Sequence, residues 1–363
     1  MEGSVENPAE NPTEMDAPLL SGEELGAVLQ WLGLSRAEGE VVRRVSPRLL
    51  CLPRTGGGLA VKVFEAGQGS AAQAEALLLR YLGADRGDLR GAGYRVPQLV
   101  SSAAGDPTLV LGERRVLVTR WVEGTHRAYR DIDADGWSEL GQTLAALHAR
   151  LDDAPALPLP SLGGQLRSRS LEAERQTLLQ HERLVQGSND EGAAVLRSML
   201  ADRRVLLERY VPRSLAAPPP DVERPIHNDY NVHNYLFDDS GPPIILDWER
   251  AMLAPREYEV CRCLNHLPLV APRVAWAFVQ GYLRRRSLDP EHIDWALHAA
   301  VGTHALKHWP VEAWLRREPG AAARLGGMAE IVRAFVEGAD GLRSFADELR
   351  GRLRDRVRDG VPQ

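Results

Sequence analysis

A polar cluster in an apolar frame lies between residues 225 and 249 of the 363-residue chain. It contains the pattern H-x-D-x-x-x-x-N as His227, Asp229 and Asn234, and after the turn signal D-D-S-G-P a β-type run, I-I-L, ends at Asp247. Two short strands joined by such a turn would bring a loop carboxylate, an amide oxygen and a second carboxylate close together.

Phosphoryl transfer needs this set of side chains. The protein does little covalent work in that reaction, so a carboxylate orients the attacking hydroxyl and accepts its proton, while hard oxygen ligands hold Mg²⁺ on the phosphates. Asp229 fits the first role, and Asn234 and Asp247 fit the second. We therefore predict an enzyme that binds ATP, or GTP, together with Mg²⁺ and moves the γ-phosphate to a hydroxyl group of a small molecule.

The basic residues are almost all arginine, and the only lysines are Lys62 and Lys307. A chain that uses arginine wherever a cation suffices should keep lysine where a compact ammonium on a flexible stem is required. Lys62, in the strand-like run L-A-V-K-V-F, is the candidate to meet the α- and β-phosphates, and Glu75 on the next helix is the candidate to hold its ammonium. Lys307, in A-L-K-H-W-P, has helical surroundings and no motif, so we interpret it as a surface residue, with a ligand as the alternative.

Each of these patterns has an ordinary structural explanation when it stands alone. Asp and Asn crowd turns for local hydrogen-bonding reasons, and a strand lysine can extend along an apolar surface to reach water. The combination of the loop pattern, an aspartate at a strand end and an upstream strand lysine is far more specific. We therefore favour a phosphotransferase site over a solvated polar turn.

The elements that must position these residues begin at Ser21, where S-G-E-E predicts a capped helix start. Two β-like runs follow, at residues 41–52 and 59–64, and the turn signal at 55–58 predicts an antiparallel hairpin with Lys62 on its second strand. A helix is predicted over 71–83, ending at glycine.

Strand candidates follow at residues 98–101 and 115–121, after which the pattern becomes mostly helical. Short strands are predicted between 225 and 247, and helices from 257 to about 358. The predicted fold class is α+β with two lobes and a nucleotide cleft. The predicted organisation is a disordered acidic tail at 1–20, an N-lobe with a nucleotide-binding sheet at 21–119, a hinge at 120–124, and a helical C-lobe with the catalytic loop and substrate site at 125–363.

Composition excludes several other classes of protein. Acidic residues outnumber Lys plus Arg by 50 to 44, and no basic block is interleaved with aromatics, so we expect no nucleic-acid partner. No run of about 18 apolar residues occurs, and the N-terminus lacks a secretory pattern, so we expect no membrane partner and a cytoplasmic protein. Oligomeric state is left open.

Three cysteines cannot build a disulfide framework and fit a reduced compartment. Cys261 and Cys263 with His266 could suggest metal ligation, but a C-x-C with one histidine lacks the spacing of a closed zinc site. We interpret both cysteines as buried apolar residues on a helix.

The segments H-N-D-Y-N-V-H-N and I-L-D-W-E resemble the catalytic segments of the aminoglycoside phosphotransferase and choline kinase superfamily, small-molecule relatives of the eukaryotic protein kinases. The resemblance runs from about residue 41 to the C-terminus and implies a two-lobed protein-kinase-like fold, with an antiparallel-sheet N-lobe and a mainly helical C-lobe. It implies that Lys62 is the phosphate-binding lysine and Glu75 its partner. It also implies that Asp229 is the catalytic aspartate and that Asn234 and Asp247 are the Mg²⁺ ligands.

The resemblance extends to several supporting residues. His227 resembles the histidine that braces the catalytic loop. The hinge whose backbone meets the nucleobase would consist of Arg120, Trp121 and Val122. A helix ending in Leu-His places His148 in the lobe core, and the segment P-R-E-Y-E-V carries Glu259 in place of the family's usual aspartate.

The sequence also departs from the family pattern. No Gly-rich loop occurs between the first strands, where V-S-P-R stands at 45–48, so the clamping of phosphates there is an open point. Residues 231–233 read Asn-Val-His instead of His-Pro-Gly, which makes His233 a candidate for a role specific to this protein's substrate. The A-P-E segment of protein kinases is not evident, which disfavours a protein substrate.

Two other functions stay open. A metabolic kinase for homoserine, choline or a sugar would use the same catalytic residues, and a nucleotide-binding regulatory pseudoenzyme would fit the missing Gly-rich loop. We expect the acceptor above Asp229, contacted by helices after Glu257. The basic excess of the C-terminal segment favours an acceptor that is neutral, zwitterionic or only weakly cationic.

Overall fold

The computed structural model describes residues 18–35, 42–54, 57–84, 93–216, 223–238 and 240–359. The predicted acidic tail lies outside these residues up to residue 17, and so do Thr55 and Gly56 of the predicted turn. The described part divides into two compact units. We call residues 18–159 and 225–252 the sheet unit, and residues 160–224 and 253–359 the helical unit.

The sheet unit begins with a capped helix, as the sequence predicts. The Glu24 N–H donates to Ser21 Oγ at 3.2 Å, and the Ser21 N–H donates to Glu24 Oε2 at 2.8 Å. The helices of this unit are α1 (Gly22–Trp31), α2 (Gly69–Leu82) and α3 (Ala134–Asp152). Its first six strands are β1 (Arg43–Ser46), β2 (Leu49–Leu52), β3 (Leu59–Phe64), β4 (Leu99–Val100), β5 (Leu109–Leu111) and β6 (Arg114–Arg120).

These six strands form one antiparallel sheet in the order β1-β2-β3-β6-β4, with β5 also paired to β6. On β3, Val61 and Val63 are fully buried in a cluster with Val28 and Leu29 of α1. Because side chains alternate along a strand, Lys62 faces the opposite side of the sheet. The sheet therefore presents one lysine on the face that does not carry α1.

The β-like run at residues 41–52 is divided at V-S-P-R, which the sequence analysis placed between the first strands. The segment forms two strands, β1 and β2, which pair through a tight turn at Pro47 and Arg48. Proline fixes φ and has no N–H to donate, so the run breaks where it occurs. The sequence analysis also missed β5.

The rest of the sheet unit is the segment that carries most of the predicted site. It contains β8 (Tyr235–Leu236) and β9 (Ile244–Ile245), which pair antiparallel, and a 3-10 turn at Val232–Asn234 just before them. The short strands β7 (Arg224–Ile226) and β10 (Met252–Ala254) lie where the chain passes from one unit to the other. The predicted short strands of this segment are present.

The helical unit packs around a long central helix, α6 (Ala193–Leu215), which contributes Leu196, Leu200 and Leu207 to the core. The other helices are α4 (Leu162–Arg167), α5 (Leu171–Gln186), α7 (Arg256–Leu264), α8 (Leu267–Val270), α9 (Pro272–Leu283), α10 (Ile293–Ala305), α11 (Trp309–Leu315), α12 (Ala321–Glu337) and α13 (Ala339–Arg358). Within the described residues, none of the helices combines the length and apolar character of a membrane span. The predicted α+β class, a small antiparallel sheet with a mainly helical remainder, is confirmed.

Candidate active site

Lys62 lies at the centre of a cluster of carboxylates. Its Nζ is 2.6 Å from Asp247 Oδ1, 2.8 Å from Glu75 Oε2 and 3.2 Å from Glu249 Oε2. Strand β3 supplies the lysine, α2 supplies Glu75, and the segment after β9 supplies the other two. The structure therefore brings together Lys62, Glu75 and Asp247, which the sequence analysis had singled out from three separate elements.

Lys62 and Asp247 hold each other ionised. Burial disfavours the Lys62 ammonium, but three neighbouring carboxylates outweigh that effect and raise its pKa. Burial raises the pKa of Asp247, yet the lysine charge outweighs it and the net shift is downward. Glu75 is buried, and burial raises the pKa of its carboxyl by more than the Lys62 charge lowers it. Lys62 and Asp247 are thus ionised at neutral pH.

Asp229 is oriented by two amides on its own loop. Asn231 Nδ2 donates to Asp229 Oδ1 at 3.0 Å, and Asn234 Nδ2 donates to Asp229 Oδ2 at 3.2 Å. The Asp229 main-chain oxygen accepts from both amides, at 3.0 and 2.8 Å. The 3-10 turn that contains Asn234 makes these bonds possible, because it folds the chain back toward Asp229.

His227 joins the aspartate loop to the strand end that carries Asp247. Its Nδ1 accepts from the Asp229 N–H at 3.2 Å, which leaves Nε2 as the donor to the Leu246 oxygen at 2.8 Å. Burial lowers the pKa of the imidazole, although its bond to Leu246 and the charges of Asp229 and Asp247 act the other way. A neutral histidine with both ring nitrogens hydrogen-bonded is suited to bracing the loop.

Backbone conformation at the site is unusual at two positions. Asn228 and Asp247 have positive φ angles of 62° and 57°. Asn and Asp enter this left-handed region more readily than other non-glycine residues, and such conformations concentrate at functional sites. At Asp247 the turn of the chain away from β9 directs the carboxylate toward Lys62.

A cavity of about 570 Å³ adjoins the cluster, and Lys62, Glu75, Asn234 and Asp247 form part of its wall. Asp229 is not part of this wall, but it accepts a hydrogen bond from the side-chain amide of Asn234, which is. The basic side chains on the wall are Arg43, Arg48, Lys62, Arg120, His126 and His233. Its fixed cations, Arg43, Arg48, Lys62 and Arg120, offer donors to a polyanionic ligand, and the acids Glu75, Glu123 and Asp247 share the same wall.

The predicted hinge residues Arg120, Trp121 and Val122 also line the cavity. The Arg120 N–H donates to the Gln98 oxygen and the Trp121 N–H to the Gly58 oxygen, each at 2.8 Å. These two donors are therefore engaged in the sheet, and the first hinge N–H available to a nucleobase is that of Val122.

Two charged residues beside the cluster were not assigned a role from the sequence, and one of them, Arg48, lines the cavity. Arg48, in the β1–β2 turn, donates from Nη2 to Glu249 Oε1 at 2.9 Å. Glu249 also lies beside Lys62. Burial raises the pKa of its carboxyl, but the bond to Arg48 and the lysine charge outweigh burial, so the net shift is downward. The only signal for Glu249 in the sequence was the acid that ends I-L-D-W-E. The signal for Arg48 was its place in V-S-P-R, where a Gly-rich loop is missing.

The carboxylate oxygens of Glu75, Asp247 and Glu249 lie within 4.8 Å of one another. Glu249 Oε2 is buried, and among the described residues its contact is the ion pair with Lys62 Nζ at 3.2 Å. The Asn234 amide nitrogen donates to Asp229, which leaves its oxygen for another partner. This set of hard oxygen atoms fits a divalent cation such as Mg²⁺.

The remaining predicted residues lie as follows. His148 and Glu259 are buried, and His233 is exposed at the cavity wall. Cys261 and Cys263 are buried on α7 and form no disulfide among the described residues. Burial raises the pKa of the Cys261 thiol to about 12, so it is protonated at neutral pH.

Comparison with known proteins gives both a family and a fold. The sequence profile described as "Phosphotransferase enzyme family" matches residues 53–299. An aminoglycoside phosphotransferase from Alicyclobacillus acidocaldarius is similar in structure, with a TM-score of 0.59 and 15% identity over 94% of this chain and 98% of that one. No curated protein matches the sequence.

Two further solved structures are similar. A spectinomycin phosphotransferase in complex with ADP and spectinomycin has a TM-score of 0.56 and 16% identity over 85% of this chain and 92% of that one. A microcompartment-associated aminopropanol kinase has a TM-score of 0.52 and 18% identity over 88% and 99%. At such identities the likeness establishes the fold alone, which is the protein-kinase-like fold expected from the sequence.

Proposed function

The chain belongs to the phosphotransferase enzyme family, and from that membership we propose that it moves the γ-phosphate of ATP or GTP, with Mg²⁺, to a hydroxyl group of a small molecule. The observation that carries this proposal is the position of Lys62, whose ammonium lies 2.6 Å from Asp247 at the wall of the cavity. An ammonium and a metal-binding carboxylate are both needed at the phosphates in this reaction.

The reaction divides between the residues as follows. The acceptor oxygen attacks the γ-phosphorus, the bond from that phosphorus to the bridging oxygen breaks, and the nucleoside diphosphate leaves. Asp229 orients the acceptor hydroxyl and takes its proton, with its carboxylate held by Asn231 and Asn234. Lys62 contacts the α- and β-phosphates, and Glu75 holds the ammonium in place.

A bound Mg²⁺ would neutralise charge on the phosphates. Asp247 and Asn234 would hold it, and Glu249, whose carboxylate oxygen lies within 4.8 Å of that of Asp247, is a third candidate. Arg48 adds a cation in the turn where protein kinases have a Gly-rich loop. We infer that its guanidinium contacts the phosphates, which lets a chain without that loop retain a triphosphate.

An acceptor panel with ATP and with GTP tests the proposal, with diphosphate release as the signal. The panel contains aminoglycosides, spectinomycin, amino alcohols, choline, homoserine and sugars, and the Asp229→Asn variant serves as the control. We expect at least one acceptor to stimulate release in the wild-type enzyme and none in the variant. Release that no acceptor stimulates, from a protein that binds nucleotide tightly, would favour the regulatory nucleotide-binding protein instead.

A metabolic kinase is the second candidate. The similarity to an aminopropanol kinase favours it, because that protein is named for a small amino alcohol. Both candidates use the same residues, so only the acceptor that gives the highest kcat/KM separates them.

A further inference from the structure

A second, much smaller cavity lies inside the helical unit. It has a volume of about 60 Å³ and eight wall residues, which include Arg203 of α6, His304 of α10 and Lys307. The other five wall residues are apolar. Since one water molecule occupies about 30 Å³ in the liquid, the space is enough for about two waters or one small ion.

Arg203 is the unusual residue of this wall. It is only 1% exposed, and within the described residues its Nε and Nη1 have no hydrogen-bond partner. Its Nη2 donates to the Ala305 oxygen at 2.7 Å. Burial lowers the pKa of the guanidinium to about 10, which leaves it charged at neutral pH. A buried guanidinium with unused donors is costly unless an anion or water satisfies it.

No carboxylate of the described residues forms an ion pair with Arg203. The acid that affects its charge is Glu174, and both oxygens of that residue are already engaged. Glu174 Oε1 accepts from Arg169 at 2.6 Å, and Oε2 contacts His308 Nε2 at 2.6 Å. The guanidinium therefore has no carboxylate counter-ion among the residues that the structure describes.

A second basic side chain, Lys307, lies on the same wall as Arg203. Burial, and after it the charges of Lys307 and Arg262, lower the pKa of the His304 imidazole well below its usual value, so His304 is neutral. Arg203 and Lys307 bring positive charge to the wall, which attracts a negative ligand.

We propose that this cavity binds a small inorganic anion, about the size of a halide, through the unused N–H groups of Arg203 with Lys307 as a second contact. The volume excludes nucleotides and larger organic anions. The apolar part of the wall favours a weakly hydrated ion, because such an ion loses less by leaving water. The site uses one of the two lysines of the chain for a purpose separate from the candidate active site.

Crystals of the wild-type enzyme in sodium bromide test this directly, because bromide scatters anomalously. We expect an anomalous peak in the cavity within hydrogen-bonding distance of Arg203. Density for water alone in the cavity, or bromide only beside Lys62, would overturn the proposal.

Thermal unfolding of the full chain provides a second test with matched variants. Sodium bromide replaces sodium gluconate at constant ionic strength, and gluconate is too large for the cavity. We expect the midpoint to rise by about 2 °C more in the wild type than in Arg203→Met or Lys307→Met. The exposed control Arg285→Met should respond like the wild type, and equal responses in all four proteins would contradict the proposal.

Discussion

Asp229 has the two amide partners that hold a carboxylate ready to orient a hydroxyl. Replacing it with alanine removes the group proposed to act on the acceptor but none of the groups proposed to bind nucleotide. We expect kcat to fall by about 10² to 10⁴-fold, while the dissociation constant for nucleotide changes little. Steady-state kinetics and calorimetric titration measure the two quantities, and a wild-type kcat would refute the assignment.

Arg48 provides a second residue-scale prediction. If its guanidinium contacts the phosphates, Arg48→Met should raise the dissociation constant for the triphosphate by about tenfold and that for the nucleoside much less. Arg80→Met, at an exposed arginine outside the cavity, is the matched control. Equal losses for nucleoside and triphosphate would show that Arg48 acts only on the fold.

Lys62, Asp229, Asn234 and Asp247 could be selected from the sequence because residue type and spacing carry the requirement of the chemistry. Arg48 was not assigned a role, because its contact with Glu249 joins residues 201 positions apart in the sequence and no local pattern reveals it. Local pattern specifies which side chains are suited to a reaction, whereas tertiary contacts decide which other charges reach them.

At the scale of elements, one arginine fastens the hairpin that delivers Asp247. Arg95 Nη2 and Nη1 donate to Asp238 at 2.6 and 2.9 Å, Nε donates to the Pro242 oxygen at 2.6 Å, and the Arg95 main-chain oxygen accepts from Ile245 at 2.9 Å. The hydrogen bonds from Arg95 strongly lower the pKa of Asp238. The strands of the hairpin were predictable from their β-type runs and turn signal. The contact with Arg95 was not, because Arg95 and Asp238 are 143 residues apart in the sequence.

Arg95→Met should therefore loosen the hairpin. We expect a loss of about 1 kcal/mol in the free energy of unfolding, and a weaker dependence of nucleotide binding on Mg²⁺ because Asp247 is less well placed. Arg95→Lys keeps the charge but not the forked donors, so its free energy of unfolding and its Mg²⁺ dependence should lie between those of the wild type and Arg95→Met. Denaturant titration and nucleotide binding at several Mg²⁺ concentrations measure these effects, and unchanged Mg²⁺ dependence in Arg95→Met would contradict the positioning role.

At the scale of the whole molecule, the chain enters the helical unit at residue 160, returns to the sheet unit at 225 and leaves it again after 252. The sequence predicted the succession of strands and helices well, because periodicity is a local property. It did not reveal this double passage, which depends on contacts between distant segments. The predicted lobe boundary at the hinge, residues 120–124, stays a prediction.

Stability should depend on pH through the pair of His292 and Glu257 in the helical unit. His292 Nδ1 lies 3.7 Å from Glu257 Oε2, and the carboxylate raises the pKa of the imidazole above 6.5. Burial opposes ionisation of Glu257, but its bonds to His292 and to the Asp289 N–H outweigh that effect and lower its pKa below 4.5. The stabilisation from this pair is full between pH 4.5 and 6.5. It declines as pH rises from 6.5 through the raised pKa of His292, and it declines as pH falls from 4.5 through the lowered pKa of Glu257.

His292→Gln should lower the free energy of unfolding by about 0.5 to 1 kcal/mol at pH 5.5 and by less at pH 9. Urea titrations of both proteins at the two pH values provide the comparison. A difference that grows with pH would have the wrong sign for this pair.

Phosphorus NMR of the enzyme with ATP, Mg²⁺ and the best acceptor of the panel tests the central claim most directly. We predict a new phosphomonoester signal that grows with that of ADP, is absent when EDTA removes the metal and is absent in Asp229→Asn. ADP and inorganic phosphate without any phosphomonoester, or ester formation that persists in excess EDTA, would contradict the account.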